Sequence, residues 1–137
     1  MELQVSKLED GLRWAEKEFE ATGEVQSVDI LIGKLDMLCS ALPIANSQMA
    51  IAKREFNKAK FKAYNTYITS SIANDVKFSP LILKDYIAAK LDAQQYAYDV
   101  AERLSRTIVH LIDAYRTAIS ALKKERITND YYQNVIQ

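Results

Sequence analysis

The sequence contains little of what β-rich, disulfide-stabilised or metal-dependent proteins need. Only three glycines and two prolines occur among 137 residues, so the turn residues that separate strands are scarce. The single cysteine, Cys39, cannot form an internal disulfide, which favours a reducing compartment. One cysteine and one histidine do not make a Cys/His zinc set, and no glycine-rich phosphate loop is present. We therefore expect no catalytic residues, no metal and no cofactor.

The sequence also lacks an apolar run that could enter a membrane. The first residues, MELQVSKLEDGLRW, do not have the basic region and apolar core of a signal peptide. The most apolar window, VDILIGKLDMLCSALPIA, is interrupted by Asp29, Lys34 and Asp36, which indicates a buried helix. These features predict a cytoplasmic protein with no membrane partner.

Helix-forming residues fill most of the chain, and their apolar spacing predicts four helices. We place these helices at about 3–21, 28–42, 46–73 and 80–126. Ser27 is an expected N-cap, Pro43 an expected stop, and Ser79 followed by Pro80 an expected helix start.

The last helix carries a regular apolar seam. Its members alternate at spacings of four and three residues, as in a coiled coil: Ala97, Ala101, Leu104, Ile108, Leu111, Tyr115, Ala118 and Leu122. The seam is longer than the shorter helices can cover while also burying their own apolar faces. We therefore expect a homo-oligomer that associates through Leu104, Ile108, Leu111, Tyr115 and Leu122.

These elements predict an all-α fold, in which a long antiparallel helical hairpin packs with shorter N-terminal helices. With 49% hydrophobic and 26% charged residues, the length suits one globular domain, which we place at 1–126. Residues 127–137 form a C-terminal tail that is too short to fold alone and is expected to dock or fray.

Charge is distributed unevenly although the formal net charge is zero. Residues 1–26 carry seven acids and three bases, whereas residues 49–78 carry six bases and two acids. This separation predicts either that the acidic first helix docks on the basic middle of the chain or a neighbouring copy, or that the surface is polarised.

The basic middle contains the stretch AKREFNKAKFKAYNTYI, residues 52–68. At 100° per residue, Arg54, Lys58 and Lys62 form one row of a helix, and Phe61 lies at its edge. A basic row beside an exposed aromatic ring is suited to single-stranded nucleic acid, whose phosphates bind cations and whose bases stack on rings. A solvated helix face, or a docking site for the first helix, explains the same pattern.

Three further residues have side chains that can bind a metal or act as a nucleophile. His110 and Asp113 lie at i,i+3 and could begin a metal site, but we expect both on the solvent side of the last helix, opposite the seam. We expect Cys39 to be a small buried residue of the second helix.

The chain from about 49 to 126 resembles a loosely defined group of small helical proteins of temperate phages and prophages. The resemblance lies in AKREFNKAKFKAYNTYI, in the helix start after KFSP, and in AYDVAERLSRTIVHLIDAYRTAISALKKE. Genes of that group often lie in early recombination modules, beside single-strand-annealing and single-strand-binding proteins. The resemblance implies a phage context and a bacterial host, and it assigns no catalytic or binding residue.

Two functions fit these expectations. One is a non-enzymatic accessory of phage DNA recombination or replication that acts through unknown protein partners and weak single-strand contact. The other is a counter-defence protein, either an inhibitor of a bacterial nuclease, such as an anti-CRISPR, or a sponge for a signalling nucleotide. The third alternative is a structural role, in which the protein is a self-associating helical adaptor.

Overall fold

A computed structural model describes residues 2–24 and 26–136, and every regular element in these two ranges is helical. Helix α1 spans Val5–Glu20 and continues into a single 3₁₀ turn at Ala21–Gly23. The remaining helices are α2 (Val28–Asn74), α3 (Pro80–Lys90) and α4 (Asp92–Ile136). The predicted all-α class is confirmed.

Helices α2 and α4 form the predicted antiparallel hairpin. They contain 47 and 45 residues, so each is about 70 Å long at 1.5 Å per residue. The side chains of Asn46 and Ser105 are hydrogen-bonded across the hairpin, about midway along it. Helix α1 lies beside the hairpin and runs antiparallel to α2. This part of the molecule is therefore a bundle of three helices.

The core lies where these three helices meet. Most of the seam of α4 is buried there, as its periodicity predicts, and Ala101 and Leu111 have no exposed surface. Helix α1 contributes Leu8, Leu12 and Ala15, and α2 contributes Leu31, Leu38, Ala45 and Ala52.

Pro43 does not end a helix, contrary to the sequence-based prediction. Helix α2 passes through it, although proline removes the amide that would bond the Cys39 carbonyl. Leu38 and Ala45, on either side of Pro43, are both buried against α4. This packing stabilises the helix through the proline, whose ring lies on the solvent side.

The helix expected at 80–126 is two helices. The backbone leaves helical values at Leu91 (φ −102°, ψ 9°), whose side chain is buried. At its other end, α4 continues without a break through residues 127–136, which were expected to form a separate tail. The described side chains of this last part are exposed.

The predicted helix starts are confirmed. The Ser27 hydroxyl accepts a hydrogen bond from the Ile30 amide, and the Ser79 hydroxyl accepts one from the Ile82 amide. Within residues 2–24 and 26–136, no helix is both long enough and apolar enough to cross a membrane.

Candidate functional site

The basic row predicted from the sequence lies on the outer face of α2. Arg54, Lys58 and Lys62 are all exposed and make no ion pair with another described residue. Phe61 is 70% exposed and separates two shallow depressions, one lined by Arg54 and Lys58 and the other by Lys62. The structure therefore brings all four predicted residues together on one open surface.

Helix α1 does not cover the basic row within the chain, so the expected intramolecular docking is wrong. The acids of α1 have other partners: Glu16 pairs with Arg103 on α4, and Glu18 pairs with Lys34 on α2. Helix α1 is held there by its apolar face, which packs on the α4 seam, and it reaches along α2 only as far as Gln48.

The residues predicted for self-association lie in the core of the single chain. Leu104, Ile108, Leu111 and Tyr115 are buried, and Leu122 is half-buried. Helices α1 and α2 together bury most of the seam, so a second copy of the chain is not needed to shield it from solvent. Self-association is therefore not required to bury these five side chains.

The far end of the hairpin carries a surface that the sequence analysis missed. Three rings pack together there: the Tyr67 and Phe78 centroids are 5.6 Å apart, and those of Phe78 and Tyr86 are 5.3 Å apart. The Phe78 amide donates a hydrogen bond to the Tyr67 hydroxyl oxygen at 2.8 Å, and the Lys90 ammonium lies 4.6 Å from the Tyr86 centroid. These contacts fix the path of the loop between α2 and α3.

The segments that carry these rings, which are the end of α2, the loop after it and the start of α3, also hold large aliphatic side chains that face solvent. We call this set the apolar tip: Ile68, Ile72, Val76, Leu81 and Ile82. Ile72 is 80% exposed and Leu81 is 78% exposed. The available sequence signal was the pair Val76 and Phe78 in the expected loop, with Ile72, Leu81 and Ile82 on either side of it.

A second apolar feature is a groove of about 450 Å³ between α1 and α2, which we call the α1–α2 groove. Its floor is formed by Leu104 and Ile108 of α4, and its rim carries Trp14, Met37 and Ile44, all at least partly exposed.

Polar contacts between α1 and α2 lie at each end of the groove. At one end, the Gln48 side chain accepts from the Gln4 amide and donates to the Glu2 carbonyl, each at 3.0 Å. Past the other end, the Lys34 Nζ atom lies 2.8 Å from a carboxylate oxygen of Glu18. The groove thus has fixed ends and an open side.

The Glu18 carboxylate also accepts a hydrogen bond from the Tyr115 hydroxyl at 2.6 Å. The hydrogen bonds from Lys34 and then Tyr115 lower the pKa of Glu18. Burial, and then the bond to Glu18, raises the pKa of Tyr115. Glu18 therefore joins α1, α2 and α4 as a carboxylate with two donors.

The isolated reactive residues are not assembled into a centre. His110 and Asp113 are exposed on α4, as expected. Cys39 is also exposed, which contradicts the prediction that it is buried; Leu38, one residue earlier, takes the core position instead. Within residues 2–24 and 26–136, no group of three or more His, Cys, Asp or Glu side chains could hold a metal ion.

Comparison of the chain with protein-family models, with curated proteins and with solved structures finds no match. Arguments about its function therefore depend on the surfaces described above.

Proposed function

We propose that this protein is a non-enzymatic accessory protein that acts by binding other proteins through the apolar tip. The observation that carries the proposal is the exposure of five large aliphatic side chains around an ordered aromatic cluster. Isolated exposed apolar residues are common, but a concentration of them at one site marks an interaction surface.

The ordered structure of the loop at the apolar tip supports a binding role. The packing of the three rings and the Phe78–Tyr67 hydrogen bond hold the loop in place before any partner binds. Binding through an ordered surface avoids part of the entropy cost of arranging a flexible one. A few buried side chains contribute most of the affinity at protein interfaces, and tyrosine, which is present in this cluster, is frequent among them.

The basic row favours a second activity, weak binding of single-stranded nucleic acid. Its support is the position of Phe61, which stands exposed between basic side chains where a base could stack on it. Three neutralised phosphates give a slope of about −2 in a plot of log affinity against log salt.

The biological setting is proposed from the resemblance of residues 49–126 to phage proteins. In that setting the protein assists DNA recombination or replication in the cytoplasm of a bacterial host. A counter-defence protein that binds a bacterial nuclease would use the same apolar tip, so identification of the partner separates these two functions.

Affinity capture with matched variants tests the protein-binding proposal. Ile72→Lys combined with Leu81→Lys places two charges on the apolar tip, where both side chains are already exposed, so the fold should be unaffected. The control is Ile30→Lys combined with Val109→Lys, the same chemistry at exposed positions of α2 and α4 away from the tip. A host protein retained by the wild type and the control, and lost by the tip variant, is expected. If the tip variant retains every protein that the wild type binds, the proposal is wrong.

Fluorescence anisotropy with a labelled single-stranded oligonucleotide tests the nucleic-acid proposal. Changing Arg54, Lys58 and Lys62 to Glu should abolish binding and leave helicity unchanged, since all three are exposed. The control changes three exposed lysines elsewhere, Lys17, Lys77 and Lys84, to Glu, which alters net charge equally. Equal losses of affinity in both variants would show that only net charge matters and that the row is not a site.

A further inference from the structure

We propose that the end of α4 docks into the α1–α2 groove of a second copy of this chain, and that two copies exchange these ends reciprocally. The docking element is a row of exposed residues that we call the C-terminal stripe: Ile127, Tyr131 and Val135. This inference uses surfaces distinct from the apolar tip and is independent of the function proposed above.

The stripe has the form of a helix that binds a groove. Its three residues lie at i, i+4 and i+8 on one face of α4 and are between 62% and 69% exposed. Amphipathic helices that bind apolar grooves present their anchors at this spacing. The stripe spans about 12 Å along the helix, and the α1 residues that line the groove, Gln4 to Ala15, span about 16 Å. The C-terminal stripe is therefore short enough to fit within the length of the groove.

The stripe cannot reach the groove of its own chain. Ile108, on the groove floor, and Ile127 are on the same uninterrupted helix, 19 residues apart. At 1.5 Å per residue they are separated by about 28 Å, and the helix leads the stripe away from the groove. Only a second copy can bring the two surfaces together.

Charge complementarity favours this occupant. The acidic excess of the first 26 residues lies at and just after the C-terminal end of α1, past the groove: residues 16–24 carry four acids and one base, a net charge of −3, whereas residues 4–15 carry two of each. The segment immediately before the stripe is Lys123, Lys124, Glu125 and Arg126, with a net charge of +2. When the stripe lies in the groove of a partner copy with its basic segment towards the C-terminal end of the partner's α1, this segment comes beside those acids. Such charges orient the association more than they strengthen it.

Reciprocal exchange gives a closed dimer with two identical contacts. Each copy supplies one stripe and one groove, so the two-fold arrangement leaves neither surface free for further addition. The dimer also covers Trp14, the only tryptophan of the chain, which lies on the groove rim and is 37% exposed. Tryptophan fluorescence therefore reports on occupation of the groove.

Light scattering and tryptophan emission of the full chain, measured over a concentration series, test the proposal. The wild type should change from monomer to dimer, and its emission should shift to shorter wavelength over the same range. Tyr131→Lys in the stripe, or Ile44→Lys on the groove rim, should each weaken association by at least about tenfold and suppress the shift. Both side chains are more than half exposed, so neither change should unfold the chain, which circular dichroism checks.

The matched control is Ile72→Lys, the same kind of substitution at the apolar tip, which should dimerise as the wild type does. A wild-type chain that stays monomeric at every concentration overturns the proposal. So does a Tyr131→Lys variant that dimerises normally, or an Ile72→Lys variant that fails to dimerise.

Mixing the two interface variants distinguishes groove–stripe exchange from other dimers. A Tyr131→Lys homodimer has no intact stripe, and an Ile44→Lys homodimer has no intact groove. The mixed dimer has one intact contact, between the stripe of the Ile44→Lys chain and the groove of the Tyr131→Lys chain. The mixture should therefore associate more strongly than either variant alone and less strongly than the wild type. A mixture that associates no better than its components assigns the interface to another surface.

Discussion

At the scale of single residues, Glu18 is the polar contact that holds the three core helices in register. Its carboxylate accepts hydrogen bonds from Lys34 of α2 and Tyr115 of α4, and it belongs to α1. This arrangement has no signal in the sequence, because Glu18 and Tyr115 are 97 residues apart and meet only when α1 packs beside α4.

The lowered pKa of Glu18 predicts how stability depends on pH. A carboxyl with a lower pKa in the folded state stabilises that state above its unfolded pKa, near 4.5, and this stabilisation is lost as pH falls through the folded pKa. Tyr115 has a pKa raised from 10.0, so its contribution is present below pH 10 and lost above it.

Glu18→Gln should therefore lower the unfolding free energy by about 1 kcal/mol near neutral pH, because the hydrogen bonds to a charged acceptor become weaker. The difference from the wild type should shrink below pH 4.5, measured by thermal unfolding over a pH series. Glu20→Gln, which removes an exposed acid from the same helix, is the control and should show a small difference at every pH. A Glu18→Gln difference that is independent of pH would contradict this role.

At the scale of helices, substitution of each of the two prolines tests whether tertiary packing holds a residue of low helix propensity inside a helix. Proline inside a helix is about 3 kcal/mol less favourable than alanine, while its restriction of the unfolded chain returns about 1 kcal/mol. Pro43→Ala should therefore raise the unfolding free energy by about 1–2 kcal/mol in a denaturant titration. Pro80→Ala changes a proline at a helix start, where proline is well accommodated, and should give no gain. Equal effects of the two substitutions would mean that Pro43 is not strained in α2.

The sequence predicted the helices and the buried seam well because both depend on local periodicity. Ser27 and Ser79 cap helices as expected since capping involves only the next three residues. Pro43 and Leu91 were predicted wrongly because packing on α4 and burial of a side chain decide those positions. The apolar tip and the α1–α2 groove could not be predicted in the same way, because they depend on which faces the other helices leave uncovered.

At the scale of the whole molecule, the short length of α1 explains why the apolar tip is uncovered. Helix α1 has 16 residues and contacts α2 no further along than Gln48, whereas α2 continues to Asn74. Beyond Gln48, no further helix of the described residues lies where α1 lies, so apolar side chains that face away from the hairpin interior stay exposed. The same arrangement leaves the basic row open, since the acidic residues of α1 lie at the other end of α2.

Site-specific photo-crosslinking of the full chain in a lysate of its native host cells tests the central claim most directly. A photoreactive amino acid at Leu81, on the apolar tip, should crosslink the protein to a different protein. The same group at Thr117, exposed on the outer face of α4 and far from the tip, should not. Crosslinking at Leu81 should also be reduced when Ile72→Lys is present in the same chain. If Leu81 and Thr117 give the same products, or if Leu81 crosslinks only to other copies of this chain, the apolar tip is not the docking surface for a protein partner.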